Sequence, residues 1–369
     1  MSGIRQLANE LQLSIGTVSR ALNDRPDVNP ETRARVKAAA ARAGYVPNQS
    51  GRSLRSGRTG MVAAVIPTRA PSADSGLLTV LEGVRRTLRA HNLDLILLFR
   101  GPEEDPLESL QRIVQRRIAD SVLISETVAR DPRLAYLQAA GVDYVVFGRS
   151  EGMEGYPFVD FDVEAMAAET ARLFVRDGHR RLALVANAEL LNYEALIFEA
   201  FAAEAVRLGL PREAVRLIRT EAGHLTQSDL RLLADPDGGP TALLTSHESL
   251  AAGLYVDLGE IGLTPGQEVS VVCTFPAVDT RGIVPALSHF QADLDAVGVA
   301  LARHLLGRLP ESDDEPPAST LVPLRFAPRA SHGRAVLRAQ RVTQAPLRDD
   351  ERTQASTKAT PVTPSSIVG

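Results

Sequence analysis

The chain has 369 residues, more than one ordinary core accommodates, so two or three domains are expected. Aromatic residues are only 4% with no Trp, which argues against a stacking platform for single-stranded nucleic acid, and the one cysteine, Cys273, excludes an internal disulfide and a cysteine-rich metal site. The net charge is −4, yet residues 1–58 carry ten Arg and Lys against four acids, a net +6 that leaves −10 for the remainder, so only the head suits phosphates.

Residues 1–20 hold no apolar targeting run, and Met61–Pro67 falls far short of the roughly 18 residues a membrane span needs. A cytoplasmic protein is expected.

The head reads as three short helices. Ile4, Leu7, Ala8 and Leu11 recur at helical spacing. Ser14 stands where an N-cap belongs, ahead of a helix over Ile15–Asn23 whose inner face is Val18, Ala21 and Leu22. Two helices joined this tightly form a helix-turn-helix. Asn29-Pro30-Glu31 starts a third helix, and Gly44 ends it. The second helix is expected in the DNA major groove. Its outward residues Ile15, Gly16 and Arg20 are placed to meet bases, Arg20 reaching guanine O6 and N7. Ser14, Thr17, Ser19 and Asn23 are short polar groups suited to phosphate oxygens.

Pro47, Gly51 and Gly57 make residues 47–59 a pliable connection. From residue 60 the pattern alternates strand and helix. Strand-like runs are Met61–Ile66, Leu93–Phe99, Ser121–Ser125, Asp143–Phe147, Arg181–Ala186, Val215–Arg219, Ala242–Thr245 and Val269–Val272. Helical stretches include Leu77–His91, Pro106–Arg117, Val163–Asp177, Glu194–Leu208 and Ser249–Gly262. Apolar strands with amphipathic crossovers predict parallel sheets covered on both faces, and their number predicts two lobes. Ligands bind beyond strand C-termini, which nominates Arg149, His247 and Phe275 together with the loop Thr68–Gly76. After about Arg338 the composition predicts a disordered tail, so the domains are 1–46, 47–59, 60–335 and 336–369.

Gly148-Arg149-Ser150-Glu151-Gly152 matches a hydrolase nucleophile elbow, but turn residues follow it where a helix must. No catalytic residue, metal ligand or cofactor is expected, and Cys273 reads as a buried thiol.

Leu13-Ser14-Ile15-Gly16-Thr17-Val18-Ser19-Arg20-Ala21-Leu22-Asn23 resembles the recognition-helix signature of the LacI/GalR family. Gly44-Tyr45-Val46-Pro47-Asn48 and Arg52 to Gly60 resemble its junction and hinge, and Gly178 to Val185, Gly262 to Val272 and Arg329-Ala330-Ser331 resemble sensor landmarks. The resemblance spans about residues 3–335. It implies an N-terminal all-α helix-turn-helix head on a two-lobed α/β sensor like a periplasmic sugar-binding protein. It implies a repressor controlled by a small-molecule effector, a carbohydrate by preference, with Leu54 wedging into the minor groove. The family often has Asn at His247, an acid at Phe275 and Arg near Ile197, so this chain departs from it there. Three crossings between lobes are expected near Tyr156–Phe158, Pro285–Ser288 and Pro310–Ser319. A homodimer on double-stranded operator DNA is expected, because one half-site gives too little affinity. The alternatives are a small-molecule binder without DNA function and an activator of the same architecture.

Overall fold

The computed structural model describes residues 3–22, 25, 27–45, 58–68, 75–101, 103–152, 155–188, 191–221, 223–274, 282–308 and 319–335. Asn23, Leu54, Phe275 and the expected tail lie outside them, as do residues 69–74 of the first strand's loop. Two compact units divide the chain, residues 1–67 with 85–124 and 132–144, and residues 68–84 with 125–131 and 145–369.

Three helices open the first unit: α1 (Ile4–Leu11), α2 (Ile15–Leu22) and α3 (Pro30–Arg42). They share a core of Leu7, Ala8, Val18, Ala21, Val28, Val36, Ala39 and Ala40. The four alanines among them let the three helices approach closely. The loop between α2 and α3 is held by Arg33, whose Nη2 donates to the carbonyls of Arg25 (2.8 Å) and Val28 (3.1 Å). Asn29 caps α3 by accepting the Glu31 N–H at 2.8 Å, and Gly44 follows it at φ +60°.

Strands and helices then alternate: β1 (Met61–Pro67), α4 (Ser75–Ala90), β2 (Asp94–Arg100), α5 (Pro106–Gln115), β3 (Ser121–Ile124), α6 (Pro132–Ala140) and β4 (Asp143–Phe147). β5 (Phe158–Phe161), α7 (Val163–Arg176), β6 (Leu182–Ala186), α8 (Asn192–Arg207), β7 (Val215–Arg219), α9 (Gln227–Ala234), β8 (Ala242–Thr245), α10 (Glu248–Glu260) and β9 (Ser270–Cys273) come next. The series closes with β10 (Ser288–Gln291), α11 (Leu294–Leu306), β11 (Thr320–Val322) and β12 (Arg325–Ala327).

The strands form two six-stranded sheets, ordered β11-β5-β4-β3-β1-β2 and β12-β10-β9-β8-β6-β7. Central strands β3, β6, β8 and β9 are buried at every position, as crossover helices on both faces require. β2 is an edge strand, and there Phe99 is 70% exposed. At the start of β1, the Asp120 carboxylate accepts the N–H groups of Thr59 (2.8 Å) and Gly60 (2.7 Å).

The sheets are not wholly parallel: β12 runs antiparallel to β10, pairing His289 with Ala327. The three expected crossings also shift toward the C-terminus. β5 pairs with β4 and β11, so the chain leaves the first sheet after Phe161 rather than at Tyr156–Phe158. Likewise β10 still belongs to the second sheet, and the return comes after Gln291; the last change falls between Val322 and Arg325. In each case a strand of three or four residues joins the sheet before the chain departs. Such strands are fixed by pairing partners rather than by apolar pattern.

α11 and α4 cross where Gly298 meets Gly83. A Cβ on Gly298 would fall on the Val80 carbonyl oxygen. Gly298→Ala is expected to destabilise the folded chain by about 1–3 kcal/mol through overpacking, seen as a lower midpoint in chemical denaturation.

α7 and α8 are joined at Glu204, which accepts from Arg207 Nε (2.7 Å) and Nη2 (2.7 Å) and from Arg172 Nη1 (2.8 Å). The Arg207 hydrogen bond, opposed by burial and supported by Arg172, holds the Glu204 carboxyl down to about 2. A depressed carboxylate stabilises the fold above its unfolded value and loses that contribution as pH falls toward the folded one. Glu204→Gln is therefore expected to be less stable than the parent near neutrality. The gap should close as the pH is taken below about 4 toward 2, measured by urea midpoints across that range.

Candidate DNA interface and effector site

On α2 the burial pattern separates an inner from an outer face. Val18 and Ala21 are fully buried. Ser14, Ile15, Gly16 and Arg20 are exposed, Ile15 at 42%, and Thr17 and Ser19 are half-buried. Gly16 and Arg20 are one turn apart, so they share a face. The Arg20 guanidinium lies back along that face, its Nη1 3.6 Å from where a Gly16 Cβ would stand. Its Nε is 3.2 Å from Asp27 Oδ2, with both side chains more than half exposed. An exposed pair of this kind contributes little and is readily exchanged for another anion.

Ser14 has a local task. Its Oγ accepts the Thr17 N–H at 3.0 Å and lies 2.8 Å from the Thr17 hydroxyl. The pair thus closes the first turn of α2 and presents two hydroxyls at the helix N-terminus, where the dipole favours an anion. Ser14→Ala is expected to cost about 1 kcal/mol of head stability, read as a lower melting temperature of the α-helical signal.

In the sensor, residues beyond the C-terminal ends of strands come together around α8. Glu194 has no exposed surface. Its Oε1 accepts the Asn187 N–H (3.1 Å), the Asn187 amide (3.0 Å) and the Ser246 hydroxyl (2.5 Å), while Oε2 accepts the Leu191 N–H (3.1 Å). This carboxylate joins the residues after β6 and β8. The Ser246 carbonyl in turn accepts the Thr274 hydroxyl at 2.8 Å, which adds the end of β9. Asn192 reaches the ends of β3 and β4: its N–H donates to the Thr127 carbonyl (3.0 Å) and its Nδ2 to the Arg149 carbonyl (2.7 Å).

Arg149 itself follows β4. Its Nε donates to Asp160 (2.8 Å), and its Nη1 and Nη2 grip the Glu164 carboxylate at 2.8 and 2.5 Å. Burial works to lower the guanidinium's affinity for its proton, but Glu164 and Asp160 together hold it above the ordinary value. The two acids respond differently. Burial is the largest influence on both: at Asp160 it prevails and pushes the carboxyl up, whereas at the more exposed Glu164 the hydrogen bond and the charge of Arg149 together overcome it and pull the carboxyl down. His247 caps α10, its Nδ1 accepting the Ser249 N–H at 3.3 Å. Ile197 is fully buried on the inner face of α8.

Arg149 and His247 are candidates from the sequence, whereas Asn192, Glu194, Thr127, Ser246 and Thr274 join them only in the structure. Only Glu194 had a local signal, an acid in the first turn of a helix. The others are ordinary loop residues brought together by the sheets.

Ser150 of the Gly148–Gly152 motif is structural. Its Oγ donates to the Val128 carbonyl (3.0 Å) and accepts the Asp131 N–H (2.8 Å), and the next helix begins only at Val163. Cys273 is fully buried, and burial pushes its thiol up to about 12. Among the described residues no group of three His, Cys, Asp or Glu could hold a metal ion, and no helix is long and apolar enough to cross a membrane.

A helix-turn-helix with an exposed recognition face, followed by two sheets whose strand ends converge on polar groups, defines a ligand-responsive DNA-binding protein. Residues 4–48 match the family model "Bacterial regulatory proteins, lacI family", and residues 171–332 match "Periplasmic binding protein-like domain". The chain is 32% identical over 322 residues to the HTH-type transcriptional regulator AglR of Rhizobium meliloti (strain 1021), covering 85% of this chain and 89% of the relative. It is 29% identical to RafR of Escherichia coli, also an HTH-type transcriptional regulator, over 83% and 88% of the two chains. The lac repressor dimer bound to operator and the anti-inducer ONPF superposes with a TM-score of 0.73 at 20% identity, covering 89% of this chain and 98% of the other. A transcriptional regulator CelR–cellobiose complex gives 0.64 at 22% identity over 90% and 100%.

The chain belongs to the LacI family: it is a DNA-binding transcriptional regulator and not an enzyme.

Proposed function

We propose that the protein is a cytoplasmic homodimeric repressor that binds a pseudo-palindromic operator and is controlled by a carbohydrate effector. The observation that carries the reading is the face of α2: Ile15, Gly16 and Arg20 are exposed over a buried Val18 and Ala21, in a head of net charge +6. Arg20 supplies a fork for guanine in the major groove, and its weak pair with Asp27 gives way to the base. Ser14, Thr17, Ser19 and Asn23 set register on the phosphates, and Leu54 enters the minor groove between the half-sites. The head 1–46, hinge 47–59 and sensor 60–335 form the working division.

For the effector, the buried hydrogen-bond network at the strand ends around α8 fixes a polar position beyond strand C-termini, where ligands of such sheets bind. Arg149 and His247 flank that position, and Phe275, outside the described residues, completes the proposed set. Two solved relatives in fold carry sugars, cellobiose in one and ribose in the other. This supports a carbohydrate here without choosing one.

An operator selected from random duplexes by the full-length protein tests the reading. Binding should fall by about a thousandfold or more between roughly 50 and 200 mM salt if a dimer neutralises six or more phosphates. Arg20→Ala should weaken the preferred site by about 1–3 kcal/mol and flatten discrimination at one base pair per half-site. Salt-independent binding, or base preference unchanged in the variant, overturns the assignment.

A further inference from the structure

Asn192 stands at the start of α8, after a strand of the second sheet, yet its partners follow strands of the first. All of the residues concerned, Thr127, Arg149 and Asn192, lie in one compact unit. The Arg149 carbonyl accepts two donors, the Thr127 hydroxyl at 2.6 Å and Asn192 Nδ2 at 2.7 Å. The Thr127 carbonyl accepts the Asn192 N–H at 3.0 Å. A single residue thus ties the loops after β3 and β4 to the helix after β6.

The orientation of the Asn192 amide is forced, because turning it over would set Oδ1 against the Arg149 carbonyl oxygen. In the forced orientation Oδ1 is enclosed and accepts no hydrogen bond, while the residue as a whole is only 3% exposed. An enclosed acceptor without a donor opposes the arrangement that encloses it. Two hydrogen bonds favour the closed tie and one orphaned oxygen favours its release, so the balance is close. Because Oδ1 is enclosed while the tie is shut, a ligand hydroxyl reaches it only once the tie opens, and binding there tips the balance toward release.

We propose that Asn192 is a clasp between the strand ends of the two sheets, shut in the arrangement described and released when the hydroxyls of an effector bind. The regulatory half of this proposal rests on the reading of the protein as an effector-controlled operator binder; the clasp itself does not.

The clasp is tested on the full-length protein without DNA or effector, by residue-resolved amide hydrogen exchange. In Asn192→Ala the amide of residue 192 should exchange about tenfold faster, while the amides of β6 stay protected and report an intact fold. Asn192→Asp keeps the size but sets a carboxylate oxygen against the Arg149 carbonyl, and should open the tie at least as far. Thr127→Val removes only the hydroxyl donor and should have a smaller effect. Unchanged exchange at residue 192 in the folded Asn192→Ala and Asn192→Asp proteins overturns the clasp.

The regulatory half is read separately. On the selected operator, Asn192→Ala should shift the Kd at least fivefold. Faster exchange with an unchanged operator Kd sinks regulation and leaves the clasp. A wild-type protein that selects no duplex at all sinks the operator reading and the regulation with it, whereas the exchange result still judges the clasp.

Discussion

A carboxylate with no exposed surface is costly unless its oxygens find donors, and Glu194 finds four, the backbone and amide of Asn187, the Leu191 N–H and the Ser246 hydroxyl. Its donors come from the residues after β6, from the turn before α8 and from the residues after β8. Satisfying the carboxylate therefore fixes the start of α8 against the ends of two strands. Asn192, two residues earlier, takes its place as a consequence. The polar groups at the strand ends depend on this one buried acid.

The head works under the opposite constraint. Its core is small and rich in Ala, so close helix approach and terminal caps carry much of its order. Arg33 is spent on the carbonyls of Arg25 and Val28, which removes it from the set of cations that could meet DNA. Arg20 is different: it and its partner Asp27 are both more than half exposed, so its charge stays available. The structure thus distinguishes Arg33, which helps build the head, from Arg20, which can leave its partner.

Much of this was legible in the chain. Helix α2 was readable because Ser14 marks its start and Val18, Ala21 and Leu22 repeat at its pitch. The buried strands β6, β8 and β9 were readable because runs such as Leu182–Ala186 are wholly apolar. The strands β5, β10, β11 and β12 were not, since three or four residues give no period to detect, and what makes them strands is a partner elsewhere in the chain. The same holds for the site. Arg149 stood out as a cation after a strand, but that its guanidinium turns to Asp160 and Glu164 while its carbonyl turns to Asn192 is a matter of packing.

By itself the sequence determined the three-helix head with its outward Ile15, Gly16 and Arg20, the alternation of apolar strands with amphipathic helices, and the division of charge between head and body. Each is a property of neighbours within a turn or two, where side-chain spacing and capping chemistry act directly. Only the tertiary structure decided which strand ends meet, where the chain changes sheets, and that Asn192 bonds Thr127 while Glu194 bonds Ser246. Those residues are up to 119 positions apart, and no local rule couples them; the sheets do so, each carrying the C-terminal ends of its parallel strands to one edge.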